Sequence, residues 1–190
     1  MILPIRTFGD PVLRHKGARI DKITSAIQKL IEDLFETMYA TAGVGLAAQQ
    51  VGQELQLAVI DVRAVKDRPS TLELEGKPAD VHSFMPLVLI NPEIRPSGEP
   101  STGPEGCLSF PEIYADITRP ESVEVTALNG NGERIGFKAG GLLSRAIQHE
   151  VDHLNGILFI DRMSTVDKKS LKAELESLQE TTRVDLKKSG

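Results

Sequence analysis

Cysteine occurs once in this chain and tryptophan not at all, and with two tyrosines and six phenylalanines the aromatic share is only 4%. A single thiol cannot close an internal disulfide, so nothing argues for an oxidising compartment, and Cys107 is left for packing, nucleophilic chemistry or metal ligation. Positive charge is also short: 22 Lys and Arg stand against 27 Asp and Glu, a net charge of -5. That balance excludes a broad nucleic-acid or anionic-membrane footprint, so neither DNA nor a membrane is expected as a partner. No apolar run approaches the 18 residues of a membrane span, and residues 1–6 lack the apolar stretch of a secretion signal, so a cytoplasmic address is expected. What is present suits one globular domain: 190 residues, 40% hydrophobic and 26% charged, enough to bury a core without staples.

Along the chain, residues 1–22 are short apolar pieces broken by Pro4, Gly9, Pro11 and Gly17, an irregular lead-in that carries His15 as a solvated basic spot. Residues 24–42 recur at helical spacing, with Ser25 and Gln28 as a capping box and Gly43 as the stop. Residues 43–52 read as a loop of small residues where backbone can approach a ligand closely; it lacks the Lys-Ser/Thr ending of a phosphate loop, and Gln49 and Gln50 are its only polar side chains. Strands are expected at 55–62 and 87–94, separated by a charged, turn-rich insertion at 64–85 with His82 on its surface. The Pro- and Gly-rich residues 96–106 read as a constrained loop. Strands at 122–128 and 133–138 flank Asn129-Gly130-Asn131-Gly132, a strong hairpin signal. A helix follows Gly140-Gly141 with Gly156 at its C-cap, and a last helix runs from 167 to about 181 on the stripe Leu171, Leu175 and Leu178, leaving 183–190 as a frayed polar tail. The order implies an α+β class: antiparallel and mixed β-sheets packed around a central helix, flanked by an N-terminal and a C-terminal helix, in a single catalytic domain over residues 1–182.

The central helix bears His149-Glu150-Val151-Asp152-His153. Two imidazoles four residues apart lie on one helical face, so their nitrogens can converge on one metal ion, and Glu150 stands beside them, placed to move a proton rather than to bind. From the composition, the chance expectation of His-Glu-x-x-His is about 0.007 occurrences in the chain, which makes coincidence a poor explanation. A catalytic metal needs a third protein ligand and an open position. A downstream histidine at the spacing of extended protease motifs is absent, since that position is Phe159; Glu174 lies on the exposed side of the last helix. Cys107 offers a thiolate, a better soft ligand than either. A metalloprotease and a closed structural zinc site, the latter borrowing His15 or His82, are the rival readings.

Three motifs in order, Gly43-Val44-Gly45-Leu46-Ala47-Ala48-Gln49-Gln50, Glu105-Gly106-Cys107-Leu108-Ser109 and His149-Glu150-Val151-Asp152-His153 continuing into Leu154-Asn155-Gly156, make the chain resemble a peptide deformylase. The resemblance implies that Cys107, His149 and His153 hold one divalent metal and that Glu150 is general base and acid. It also implies that Gln50 and the Leu108 N–H donate to the oxyanion, and that Gly45 hydrogen-bonds the peptide. Gly43, Val44, Glu105 and Tyr114 are expected at the substrate, with Val44, Leu108 and Tyr114 as candidates for a methionine pocket. Arg119 is expected to brace the Cys107 loop through Glu105. The implied substrate is an N-formylmethionyl nascent peptide. Ligand softness alone favours zinc, whereas the family typically works with ferrous iron, which preparations replace by zinc, nickel or cobalt. A transient ribosome contact through the C-terminal helix is left open.

Overall fold

The computed structural model describes residues 1–189 and opens on an extended lead-in with a 3-10 turn at Pro11–Arg14, capped by the Asp10 carboxylate on the Val12 N–H at 3.0 Å. Helix α1 (Ser25–Ala40) is capped one residue earlier than the sequence suggested: Thr24 Oγ1 accepts from the Ile27 N–H at 3.3 Å. Its stop is also earlier. Ala42 takes the left-handed conformation (φ 53°), and the Ala42 and Gly43 N–H groups close on the carbonyls of Tyr39 and Met38 at 3.2 and 3.0 Å, the double bond of a Schellman close. Gly43 has a different part, since a Cβ there would come 3.0 Å from the tip of the Leu108 side chain and press on it.

The small-residue stretch at 43–52 is not a loop. It contains strand β1 (Gly45–Ala47) and a 3-10 turn at Ala48–Val51, and β1 pairs antiparallel with β2 (Leu57–Ile60). The insertion folds as a hairpin, β3 (Ser70–Leu74) and β4 (Lys77–Ala79), followed by the short helix α2 (Val81–Phe84). The Pro- and Gly-rich residues 96–106 are likewise a correction. They form the second half of β5 (Leu87–Cys107), paired with β6 (Phe110–Leu128) from Pro96 opposite Val123 to Cys107 opposite Phe110. Breaks in register at Ser97/Pro100 and Gly106/Cys107 absorb residues that cannot hold a regular ladder, which is how strands tolerate proline. The expected Asn-Gly hairpin joins β6 to β7 (Arg134–Gly140). Together the strands make one sheet in the order β1-β2-β5-β6-β7-β3-β4. Every pairing between these strands is antiparallel; parallel pairing is confined to an isolated bridge, Ala18 to Leu55.

Helix α3 (Gly141–Leu154) is buried from Leu142 to Leu154. Its two adjoining stripes differ in reach. Leu143, Ile147 and Val151 join the core with Leu72, Val123 and Phe137, and Leu142 and Ala146 share that core while also bordering, with His149, a cleft. A second core seats α1 through Leu34 and Met38 on Leu46, Val59 and Ile90. A third gathers Leu13, Phe110, Phe159 and Ile117 under Leu171, Leu175 and Leu178. The C-terminal segment is two helices, α4 (Thr165–Ser170) and α5 (Lys172–Ser189). Residues 183–189 are thus helical, not frayed, and residue 190 lies outside the described residues. The leucine stripe is prolonged by Thr182, buried and hydrogen-bonded to Thr7 Oγ1 at 2.7 Å, and Lys188 pairs with Asp185 one turn on, so helix is held past the point where apolar periodicity stops.

The head of α3 has no side-chain cap of its own at Gly140. The insertion supplies it: the Leu142 N–H donates to the Pro69 carbonyl and the Leu143 N–H to Ser70 Oγ, both at 3.0 Å, filling two of the orphan donors of a buried helix start. Gly141 is required here, with φ 64° and the Pro69 carbonyl where a Cβ would stand. Ser70→Ala should therefore destabilise the fold by about 1 kcal/mol, the usual loss for a helix cap, read as a lowered urea midpoint with unchanged m-value; an unchanged midpoint would deny the insertion this role.

Candidate active site

Helix α3 and the end of β5 bring together three groups distant in sequence. Cys107 Sγ lies 3.3 Å from His153 Nε2, and the donor atoms of Cys107, His149 and His153 all fall within 4.8 Å of one another. An ion bound tetrahedrally at the usual zinc distances separates its donors by about 3.5 Å, so small shifts close this set on one ion. His149 is oriented for it. Its Nδ1 is 3.0 Å from Glu105 Oε2, leaving Nε2 for the ligand position, the carboxylate–histidine arrangement typical of metal sites. Burial disfavours a proton on either ring; on His149 Cys107 and Glu105 outweigh it and raise the imidazole well above its usual value, while on His153 burial, reinforced by His149 and Arg119, pushes it below. A thiol, two rings and room for one positive charge fit a divalent metal.

Glu105 carries the support. Its carboxylate accepts from Arg119 Nε and Nη2 at 2.6 and 3.0 Å and from Arg145 Nη1 at 2.9 Å, besides its bond with His149. The expected brace by Arg119 is present, and Arg119 continues to Asp152 at 2.9 Å, which Arg162 holds in turn at 2.7 Å. Burial alone would raise the Glu105 carboxyl, but His149 and Arg119 outweigh it and hold it far below the ordinary value of 4.5. Its side chain is thereby turned inward to orient a ligand, although the residue lines the cleft where it was expected to meet substrate.

Glu150 is buried, and its Oε2 is without a hydrogen-bond partner. Burial pushes its carboxyl up to about 7. It lies against the backbone of Gly45, where any Cβ would overlap the carboxylate, so the glycine of the first motif is dictated by the close approach of the third. Gln50 is held by its Oε1 on the Ala47 N–H at 2.9 Å, which directs Nε2 toward Ser109 Oγ at 3.2 Å and Cys107 Sγ at 3.5 Å. Gln50, Glu105, Cys107, His149 and Glu150 border one cleft of about 610 Å³, with Gly43, Val44 and Gly45 on one wall and Cys107, Leu108 and Tyr114 on another. Tyr114 is 65% exposed, its ring lying against Gly106. The other histidines stay outside: His15 pairs with Glu54 at 2.8 Å on the surface, and His82 is exposed on α2. Glu174, the rival third ligand, is exposed on α5.

Residues 2–169 match the family model described as polypeptide deformylase. The chain belongs to the polypeptide deformylase family. A peptide deformylase of Methylacidiphilum infernorum is 48% identical over 179 residues, 94% of each chain, and one of Opitutus terrae is 42% identical over 98% of each. Among solved structures, an Arabidopsis thaliana deformylase in complex with an inhibitor superposes with a TM-score of 0.82 at 38% identity, covering 96% of this chain and 93% of its own; a Synechococcus elongatus deformylase in complex with actinonin gives 0.75 at 39% identity, covering 95% and 85%.

Sequence reasoning missed Arg145, which sits one turn before His149 on the stripe that faces the cleft; the spacing 145, 149, 153 was a visible signal. It also missed Arg162 and Ser70, for which sequence separation left none. Because the Glu105 pKa is lower folded than unfolded, its contribution is complete above about pH 4.5 and is lost as pH falls toward the folded value. Glu105→Gln should therefore lower the urea midpoint at pH 7 and differ progressively less from the parent as pH falls from 5 to 3. A gap that holds constant over that range would show that ionisation of Glu105 is not what stabilises.

Proposed function

We propose that this chain removes the formyl group from the N-terminal formylmethionine of nascent polypeptides, releasing formate. The observation that carries the reading is a buried Glu150 with an unpartnered carboxylate oxygen beside a Cys–His–His cluster on one cleft. A divalent metal on Cys107, His149 and His153 would supply a Lewis acid and bring the pKa of a water there toward about 7. Glu150 takes the proton of the attacking water and returns it to the leaving amine; a carboxyl poised near pH 7 suits both halves of that task. Gln50 Nε2 and the Leu108 N–H, both neutral, donate to the oxygen that gains negative charge at the formyl carbon.

The peptide lies along β1. That strand is the edge of the sheet, so Gly45 offers backbone groups to an extended chain while Val44, Leu108 and Tyr114 border the methionine side chain and Gly43 leaves it room. Recognition through backbone tolerates varied residues further on. The working metal in this reading is ferrous iron, from the family's habit; thiolate and imidazole would equally hold zinc, nickel or cobalt. One catalytic domain over residues 1–182 acts in the cytoplasm, where nascent chains emerge, and α5, with Lys187 and Lys188 in its last turn, is the segment available for transient ribosome contact. No described helix is long and apolar enough to cross a membrane. The rival structural zinc site needs a fourth protein ligand, and among the described residues the cluster has three.

Assayed anaerobically with added iron, the chain should release formate from a formyl-Met peptide and should not cut internal peptide bonds. Glu150→Ala should lower turnover by at least about a hundredfold, the scale of lost acid–base catalysis, while retaining metal by elemental analysis. Cys107→Ala should lose metal and activity together. Full turnover in either variant would overturn these roles. Exposure to air should remove activity, and restored ferrous iron should bring it back; indifference to air would argue for zinc.

A further inference from the structure

The insertion at 64–85 does more than cap a helix. Pro69 and Ser70 are tied to the start of α3 through Leu142 and Leu143, and Ser70 also bridges to Gly141. The residue just before this anchor, Arg68, lines the same cleft as Gly45, Cys107 and Glu150. From His149 back to Leu142 the cleft follows seven residues of α3, so the helix start to which the neighbouring Pro69 is tied stands roughly 10 Å from His149 at 1.5 Å per residue. That is the reach of a peptide's next two or three residues beyond the one being hydrolysed.

Arg68 has no carboxylate partner among the described residues. Its one hydrogen bond runs from Nη1 to the Pro104 carbonyl at 3.2 Å. Beside it, over Gly103, lies the Arg145 guanidinium, each with a nitrogen within 3.6 Å of where a Gly103 Cβ would stand. Arg145 is already committed to Glu105, the Ile117 carbonyl and the Ser101 carbonyl, and Glu105 is shared with Arg119, which with Arg162 also shares Asp152. Glu105, the carboxylate beside Arg145, is thus already shared by two guanidiniums, and Arg68 is left facing the cleft. The acids on the cleft without an arginine partner are Glu112, on β6, and Glu150, on α3, so the cleft as a whole is not positive and the effect is local to Arg68.

We propose that Arg68 is a specificity-determining residue: held over the cleft by the anchored insertion, it pairs with an acidic side chain within the three residues that follow the formylmethionine. The inference rests on the deformylase reading of the cleft. Compared with an amide isostere, an acid at the matching position raises kcat/KM by lowering KM, by a factor of up to about five for a pair still partly open to water. The gain shrinks as ionic strength rises from 0.02 to 0.5 M.

The test uses the iron-loaded full chain and formyl-Met peptides carrying Asp, Asn or Lys at the second, third or fourth position in turn. In the native chain one position should favour Asp over Asn by about three- to fivefold and Asn over Lys by a smaller factor. Arg68→Gln should bring the Asp/Asn ratio at that position to about one, and R68E should reverse the order so that Lys leads. The readout is a ratio between peptides, which a purely structural effect of either variant moves equally for all. Equal kcat/KM for Asp and Asn at every position, or a preference that survives in Arg68→Gln, overturns the proposal and leaves deformylation standing. No formate from any peptide overturns the deformylase reading and this inference with it.

Discussion

One buried carboxylate, Glu105, is the point at which the site's geometry is decided. Isolated in a protein interior, an ionised carboxyl carries a large desolvation cost, and it stays charged only because paired groups surround it. Here Arg119 approaches from β6, Arg145 and His149 from α3, and Glu105 itself from β5. Three elements must therefore meet at one place before the charge is satisfied. The ring of His149 is consequently turned to offer Nε2, and Cys107, two residues on from Glu105, arrives within bonding reach of His153. The Cys107–His149–His153 cluster is held in place by an ion network that reaches it through His149.

The two ends of α3 repeat this logic in neutral form. At its head, Pro69 and Ser70 meet the orphan N–H groups; at its tail, the Leu154 carbonyl accepts from the Gly17 N–H at 2.9 Å, Gln56 Nε2 at 2.8 Å and Gln49 Nε2 at 3.3 Å. A helix whose last carbonyl is held from the lead-in, from the 3-10 turn that bears Gln50 and from the start of β2 cannot slide along its axis without losing several buried bonds. The second polar side chain of the small-residue stretch, Gln49, thus serves the scaffold, while its neighbour Gln50 faces the chemistry. Adjacent residues divide the two tasks because a 3-10 turn sends consecutive side chains about 120° apart.

How far the sequence reads through to the structure depends on the range of the interaction concerned. The motif helix, its two stripes and the Asn-Gly hairpin were legible because spacing along the chain encodes them, and α1 differed only by one residue at its start and two at its end. The motifs singled out Cys107, His149 and His153 together, and the fold brings their donor atoms within 4.8 Å of one another. What failed was local composition read without its partner. Residues 96–106 look like a loop until β6 is set beside them, and residues 43–52 look like one until β2 is. A proline-rich segment becomes a strand when bulges place its irregular positions where no ladder bond is needed. Likewise the apolar stripe of α5 ends near Leu178, yet the helix persists because Thr182 finds Thr7, 175 residues away, a contact no window of sequence contains.

Gly45 shows how the first and third motifs constrain each other. Its lack of a side chain is ordinarily read as backbone freedom for a loop, but it sits in a strand, and what it accommodates is the carboxylate of Glu150. With Gly45 at the edge of the sheet, a peptide paired to β1 as proposed would pass directly over Glu150. Proximity of that kind converts a proton transfer into a step within one complex, and much of the barrier is met before reaction begins. The same absence of a methyl group keeps Glu150 shielded on its inner side, which is why burial raises its carboxyl. In the proposed mechanism substrate alignment and acid–base tuning would both rest on this one glycine, so a side chain there would disturb them together.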